Sequence, residues 1–191
     1  MIDKSRLLAI TDGIVAIAAT IMVLQLDIPG KASFAAISGQ WPTMVAYIIS
    51  FVQVFLAWHE HHDSLAFAKH INHRIFLLNC LWLFFITLLP FTTGVVGHNP
   101  GHAPSVLLYI AVLFAQQASI IIESVAIQKL NGTPLLDAEV IRPLRIITLI
   151  AYVIAAIGTI FIPVSGLIII LALSLGSIIA ICVYDRNLTH H

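Results

Sequence analysis

From Ile141 to Tyr184 the chain is one apolar block broken only by Pro163 and Ser165-Gly166. Wound as a single helix it would reach about 60 Å, twice the thickness of a hydrocarbon core. The block must therefore turn back on itself at Pro163, which predicts two spans, about 141–162 and 164–184. Four more stretches of bilayer-crossing length precede it, at about 5–27, 41–62, 72–96 and 104–128. Residues are 60% hydrophobic and only 9% charged, where a soluble domain carries about 25% charge. The expectation is an all-α integral membrane protein: one domain over 1–191, six transmembrane helices, no soluble domain and no internal repeat.

Six spans put both termini on one side. Lys4, Arg6, Lys69, Arg74, Lys129, Arg142, Arg145 and Arg186 fall on that side and Lys31 alone on the other. Eight against one makes the terminal side cytoplasmic by the positive-inside rule. Lys4 and Arg6 before an apolar run also resemble the start of a signal peptide. Asp12 interrupts that run and the apolar character continues to Ile28, so the segment is read as a retained helix. The formal net charge is zero, which gives no bulk attraction to nucleic acid. Cys80 and Cys182 stand singly in apolar stretches and read as small buried residues, without disulfide or metal spacing.

The first helix carries the most informative residue, Asp12. A carboxylate inside a span costs about 2.5 kcal/mol or more unless the protein accommodates it. At about 100° per residue, Gly13, Ile17, Thr20, Ile21, Leu24 and Ile28 form one stripe. Asp12, Val15, Ala16, Ala19 and Val23 lie opposite, a small-residue face suited to close helix packing. Both faces read as inward-facing rather than lipid-facing. At the same depth the second helix ends in Trp58-His59-Glu60-His61-His62-Asp63, and Asn79 lies about two turns into the third. Polar groups sharing a layer in lipid must satisfy one another. A hydrogen-bond knot fixing helix 1 against helices 2 and 3 is the simplest account. The histidine run is rich in ligands, but residues at i, i+2 and i+3 of a helix do not converge on one ion, so no metal is expected. Thr11-Asp12 near a histidine lacks the spacing of any hydrolase, so no catalytic residue and no enzyme is expected.

Arg6, then Ile10-Thr11-Asp12, followed by Gly13-Ile14-Val15-Ala16-Ile17-Ala18-Ala19-Thr20, resembles the opening signature of the potassium channels related to transmembrane protein 175. The Trp58 and His61-His62 pattern is similar too, as is Asn79 followed by Leu88-Leu89-Pro90-Phe91-Thr92-Thr93. The match covers the first half, and Ile10-Thr11 replaces the family's Phe-Ser. The resemblance implies a homotetramer in the plasma (inner) membrane of a prokaryote, with first helices lining a potassium-selective leak pore and no cofactor beyond permeant potassium. Matched from Asp12, the constriction falls at Ile17, Ile21 and Leu24, with Thr20 as the nearby hydroxyl. The structural polar network is then Arg6, Thr11, Asp12, Trp58, His61, His62 and Asn79. No carbonyl filter sequence is present, so selectivity would rest on aliphatic rings. A proton-permeable member of the same family, or a small proton-coupled transporter using Asp12 and the histidines, is the alternative.

Overall fold

The computed structural model describes residues 3–27, 33–66, 68–132 and 141–188. They form seven helices: α1 (Lys4–Ile21), α2 (Phe34–Ser38), α3 (Trp41–Ala66), α4 (His73–His98), α5 (Ala103–Asn131), α6 (Ile141–Phe161) and α7 (Pro163–Leu188). Six are long and apolar enough to cross a membrane, α1 with its extension, α3, α4, α5, α6 and α7. No strand occurs among the described residues. Ile28, Lys31 and the side chain of Cys182 lie outside them.

Local signals place the boundaries. Asp3 caps α1, accepting from the Ser5 hydroxyl and the Ser5 amide, and these two hydrogen bonds hold its carboxyl below the usual carboxylate range. Asn72 caps α4 through the Ile75 amide at 3.0 Å. Gly132, at φ 62°, ends α5 in the left-handed conformation that glycine adopts without a Cβ clash. Pro163 opens α7 at the position where a helix has no N–H to lose. Two features differ from the sequence reading. The last turn of the first helix tightens into a 3₁₀ segment, Met22–Gln25. The short helix α2 occupies part of the linker, started by Ser33 accepting from the Ala36 amide.

Helix α4 is the centre of the bundle, packed against α1, α3 and α5; α6 and α7 pair with each other and reach the rest through α5 and α3. The core between them holds Met22, Val54, Trp82, Ile86, Leu89, Tyr109, Leu113 and Ile120. Pro90 does not break α4, which continues to His98. Cys80, read from sequence as buried, is exposed on the outside of α4.

Helix α1 is divided lengthwise. Leu7, Thr11, Val15, Ala18, Ala19 and Met22 are buried against the bundle. Ala9, Ile10, Asp12, Gly13, Ala16, Ile17, Thr20, Ile21, Val23 and Leu24 are all exposed, about half the circumference. The aliphatic stripe is therefore uncovered in the single chain. The small-residue face is split: Val15 and Ala19 turn inward, Asp12, Ala16 and Val23 outward.

Candidate functional site: the first helix and the polar layer behind it

The buried half of α1 meets a polar chain through Thr11. Its hydroxyl donates to Asn79 Oδ1 at 3.2 Å, and Asn79 Nδ2 lies 2.9 Å from His61 Nε2. The same imidazole nitrogen lies 3.2 Å from Glu123 Oε2, and the His61 ring stacks on Trp82 with centroids 4.0 Å apart. All five side chains are buried. One ring nitrogen cannot accept from the amide and donate to the carboxylate at once. His61 thus couples the hydrogen bonding of Asn79, and through it Thr11, to a carboxylate on α5.

Asp12 is held separately. Its Oδ1 accepts from Trp58 Nε1 at 2.8 Å, and Trp58 packs obliquely on His62. The single knot inferred from shared depth is thus two contacts on two sides of α1. Thr11, Asn79 and His61 come together inside; Asp12 and Trp58 come together outside. His62 is exposed and joins only through ring packing, and Arg6 is exposed with no side-chain hydrogen bond or ion pair among the described residues. His59 points outward to Asp63 at 3.7 Å, so the three histidines of the run diverge.

A second buried cluster had no counterpart in the sequence reading. The Arg145 guanidinium of α6 pairs with Glu60 and donates to Ser64 Oγ at 2.9 Å. Gln117 Nε2 donates to both Glu60 oxygens, at 3.2 and 3.1 Å, and Ser64 shares a hydrogen bond with Ser124. The signal was present: Ser50, Gln53, Glu60, His61 and Ser64 recur at helical spacing along α3. Glu123 and Arg145 were legible only as an isolated acid and as a topological charge.

On the exposed half of α1, Ile17 is 57%, Ile21 44% and Leu24 75% exposed. Thr20 donates its hydroxyl proton to Ile17 O at 2.9 Å, which leaves its oxygen lone pairs open. A groove of about 540 Å³ runs beside this stripe, between Ile17, Ile21 and Gln25 of the first helix and Thr87, Pro90 and Phe91 of α4. The exposed surface of α6 and α7 is different in kind, dominated by residues such as Ile150, Ile157, Phe161, Ile168 and Leu175. Such a surface suits contact with lipid; one carrying a carboxylate and a hydroxyl does not.

Asp12→Ala deletes the acceptor of the Trp58 indole, while Asp12→Asn retains one. The expected loss for alanine is about 1–3 kcal/mol, with asparagine near wild type. Melting of the purified protein in detergent measures both. Equal stability of the alanine variant and wild type would remove the contact from the architecture.

The fold and this site define a multi-span helical bundle whose first helix leaves uncovered an aliphatic face that also carries a carboxylate and a hydroxyl. Residues 6–90 match the family described as endosomal/lysosomal potassium channel TMEM175, and the chain belongs to that family. It is 36% identical over 126 residues to a Chryseobacterium protein named as a potassium channel, a match covering 65% of this chain and 66% of that one. It is 33% identical over 101 residues to human TMEM175, named as an endosomal/lysosomal proton channel, covering 47% of this chain and 20% of that one. The chain thus spans two thirds or less of the curated relatives it matches. The fold resembles the crystal structure of a Chamaesiphon minutus homolog of the lysosomal potassium-selective channel TMEM175, with a TM-score of 0.81 at 21% identity, over 93% of this chain and 97% of that one. The family and this structural neighbour are ion channels, not enzymes.

Proposed function

We propose that this chain is a subunit of a potassium-selective leak channel, a homotetramer in the inner membrane of a prokaryote with both termini cytoplasmic. All 191 residues form one channel domain, with no cofactor beyond permeant potassium. The first helices face one another around the axis. Ile17, Ile21 and Leu24 form successive apolar rings, and Thr20 sets hydroxyls among them. The observation that supports this most is the contrast between the exposed half of α1, with Asp12, Gly13 and Thr20, and the aliphatic exposed surfaces of α6 and α7. The names of the bacterial relatives point the same way.

Narrow apolar rings exclude water and ions by dewetting; slightly wider ones pass the ion that loosens its hydration most cheaply. Potassium holds water less tightly than sodium, and Thr20 oxygens replace part of what it sheds. Selectivity in such a pore is modest. The Thr11–Asn79–His61 chain and the Asp12–Trp58 contact hold α1 so that the stripe stays turned to the axis. A second reading, proton permeation, draws on the animal relatives' name and on the buried His61–Glu123 contact.

Purified protein in planar bilayers separates the readings. Under crossed potassium and sodium gradients the zero-current potential should follow potassium. If it follows an imposed pH gradient, proton permeation replaces potassium. A saturable flux requiring a co-substrate would instead make the protein a transporter.

A further inference from the structure

At the end of α1 away from Asp12, three contacts tie the 3₁₀ segment to its own bundle. Gln25 packs on Gly94 of α4, where an added Cβ would sit on Gln25 Oε1. Gln40 Nε2 donates to the Asp27 carbonyl at 2.7 Å. The Asp27 carboxylate meets His98, the last residue of α4, with Oδ2 3.0 Å from Nε2.

The other face of the His98 ring decides the chemistry. Nδ1 lies 2.7 Å from the Gly94 carbonyl oxygen, which only accepts, so Nδ1 carries a proton. A neutral ring would then turn a bare Nε2 lone pair toward a carboxylate, two acceptors facing each other. The contact closes only when Nε2 is protonated too, or when the Asp27 carboxyl brings the proton. Either way the closed pair holds one proton more than a neutral imidazole beside an ionised acid. Asp27 is the only charged group facing His98 among the described residues. The neighbouring start of α3 offers Gln40, Trp41 and Thr43, none of which titrates. The start of α5 brings His102, which lines a hollow of about 400 Å³ with Val95 and Asn99 and makes no hydrogen bond to His98.

We infer that Asp27 and His98 are positioning residues for the Leu24 ring, a latch that closes on binding a proton and holds the outermost constriction open. This rests on the pore reading above. Leu24 lies in the 3₁₀ turn and faces away from the bundle, while every tether pulls that turn back toward α3 and α4. With the latch closed, the ring is drawn from the axis. With it released, apolar side chains around the axis are free to collapse on one another and dewet the path. The sign follows: the latch is complete at low pH, where the His98 ring carries both protons, and is lost as pH rises and Nε2 gives its proton up.

Potassium currents in planar bilayers test this, with pH varied between about 5 and 8 on one side at a time. Acidifying the side that bears His98 should raise the current about two- to five-fold, the population shift available to a partly exposed ion pair. Acidifying the other side, nearer Asp12, His59 and His62, should not reproduce it. Asp27→Asn donates its amide to the neutral ring and closes the latch without the extra proton. Its current should stay at the acid level throughout. His98→Ala should stay at the alkaline level throughout. Wild-type pH profiles in both variants, with Ile17→Asn still altering the current, would overturn the latch and leave the pore reading standing. Loss of all current in both, under the same condition, would also overturn it by making the contact purely structural. If Ile17→Asn has no effect either, the pore reading itself fails.

Discussion

Arg145→Ala is expected to destabilise the protein by about 3–5 kcal/mol, the range for stranding a buried charge by removing its partner. Arg145 is 8% exposed and pairs with Glu60, whose carboxylate also takes the Gln117 amide. Without the guanidinium, the part-buried Glu60 carboxylate keeps only the Gln117 amide, and Ser64 loses a donor. Three helices meet at this cluster, α3 through Glu60 and Ser64, α5 through Gln117 and Ser124, and α6 through Arg145. The damage should therefore appear as loss of α6 packing and reduced recovery of monodisperse protein. Glu60→Gln combined with Arg145→Met removes both charges at similar volume, and should restore most of the stability. Thermal unfolding in detergent, followed by size-exclusion chromatography, measures the single and double variants. A single variant that melts like wild type would mean that water reaches Glu60 and screens it.

The extent of the helices along the chain was legible in the sequence, and azimuth was not. Span length and the break at Pro163 located the helices, because each is a local signal. Which way a residue faces depends on whether an apolar position meets lipid or protein, and hydropathy is blind to that difference. Cys80 shows this: it stands in a largely apolar stretch, yet it lies on the outside of α4. Asp12 and the histidines shared a layer, as inferred from depth, but Thr11 and Asp12 are adjacent residues pointing to different sides of α1. The polar layer therefore divides between them. Glu123 and Arg145 were missed for the same reason, since their partners come from helices whose rotation the pattern does not set. Both faces of α1 read from sequence as inward-facing, and the stripe of Ile17, Ile21 and Leu24 with Gly13 and Thr20 is instead uncovered in the single chain, because helical periodicity groups residues on a face without saying what covers it.

Ile17→Asn should raise conductance, because an amide at the innermost aliphatic ring holds water where the native side chain expels it. The residue is 57% exposed in the single chain and lies outside its buried core, so with unchanged thermal stability a change in current would report on the permeation path rather than on folding. Thr20→Val is the complementary change. It keeps the branched shape and removes the hydroxyl, including its hydrogen bond to Ile17 O. That bond is local to the helix and its loss is tolerated, as valine is in many spans. If Thr20 oxygens substitute for shed hydration water, preference for potassium over sodium should fall toward unity while current persists. Ile21 and Leu24, about one and two turns further out, should give weaker versions of the Ile17 effect when changed to asparagine. Leu24 should be the weakest, since the 3₁₀ turn and its tethers set its position. Single-channel recording under bi-ionic conditions reads conductance and selectivity together. Unchanged values in all four variants would remove the first helix from the pore, and with it the assignment of Ile17, Thr20, Ile21 and Leu24 to ion permeation.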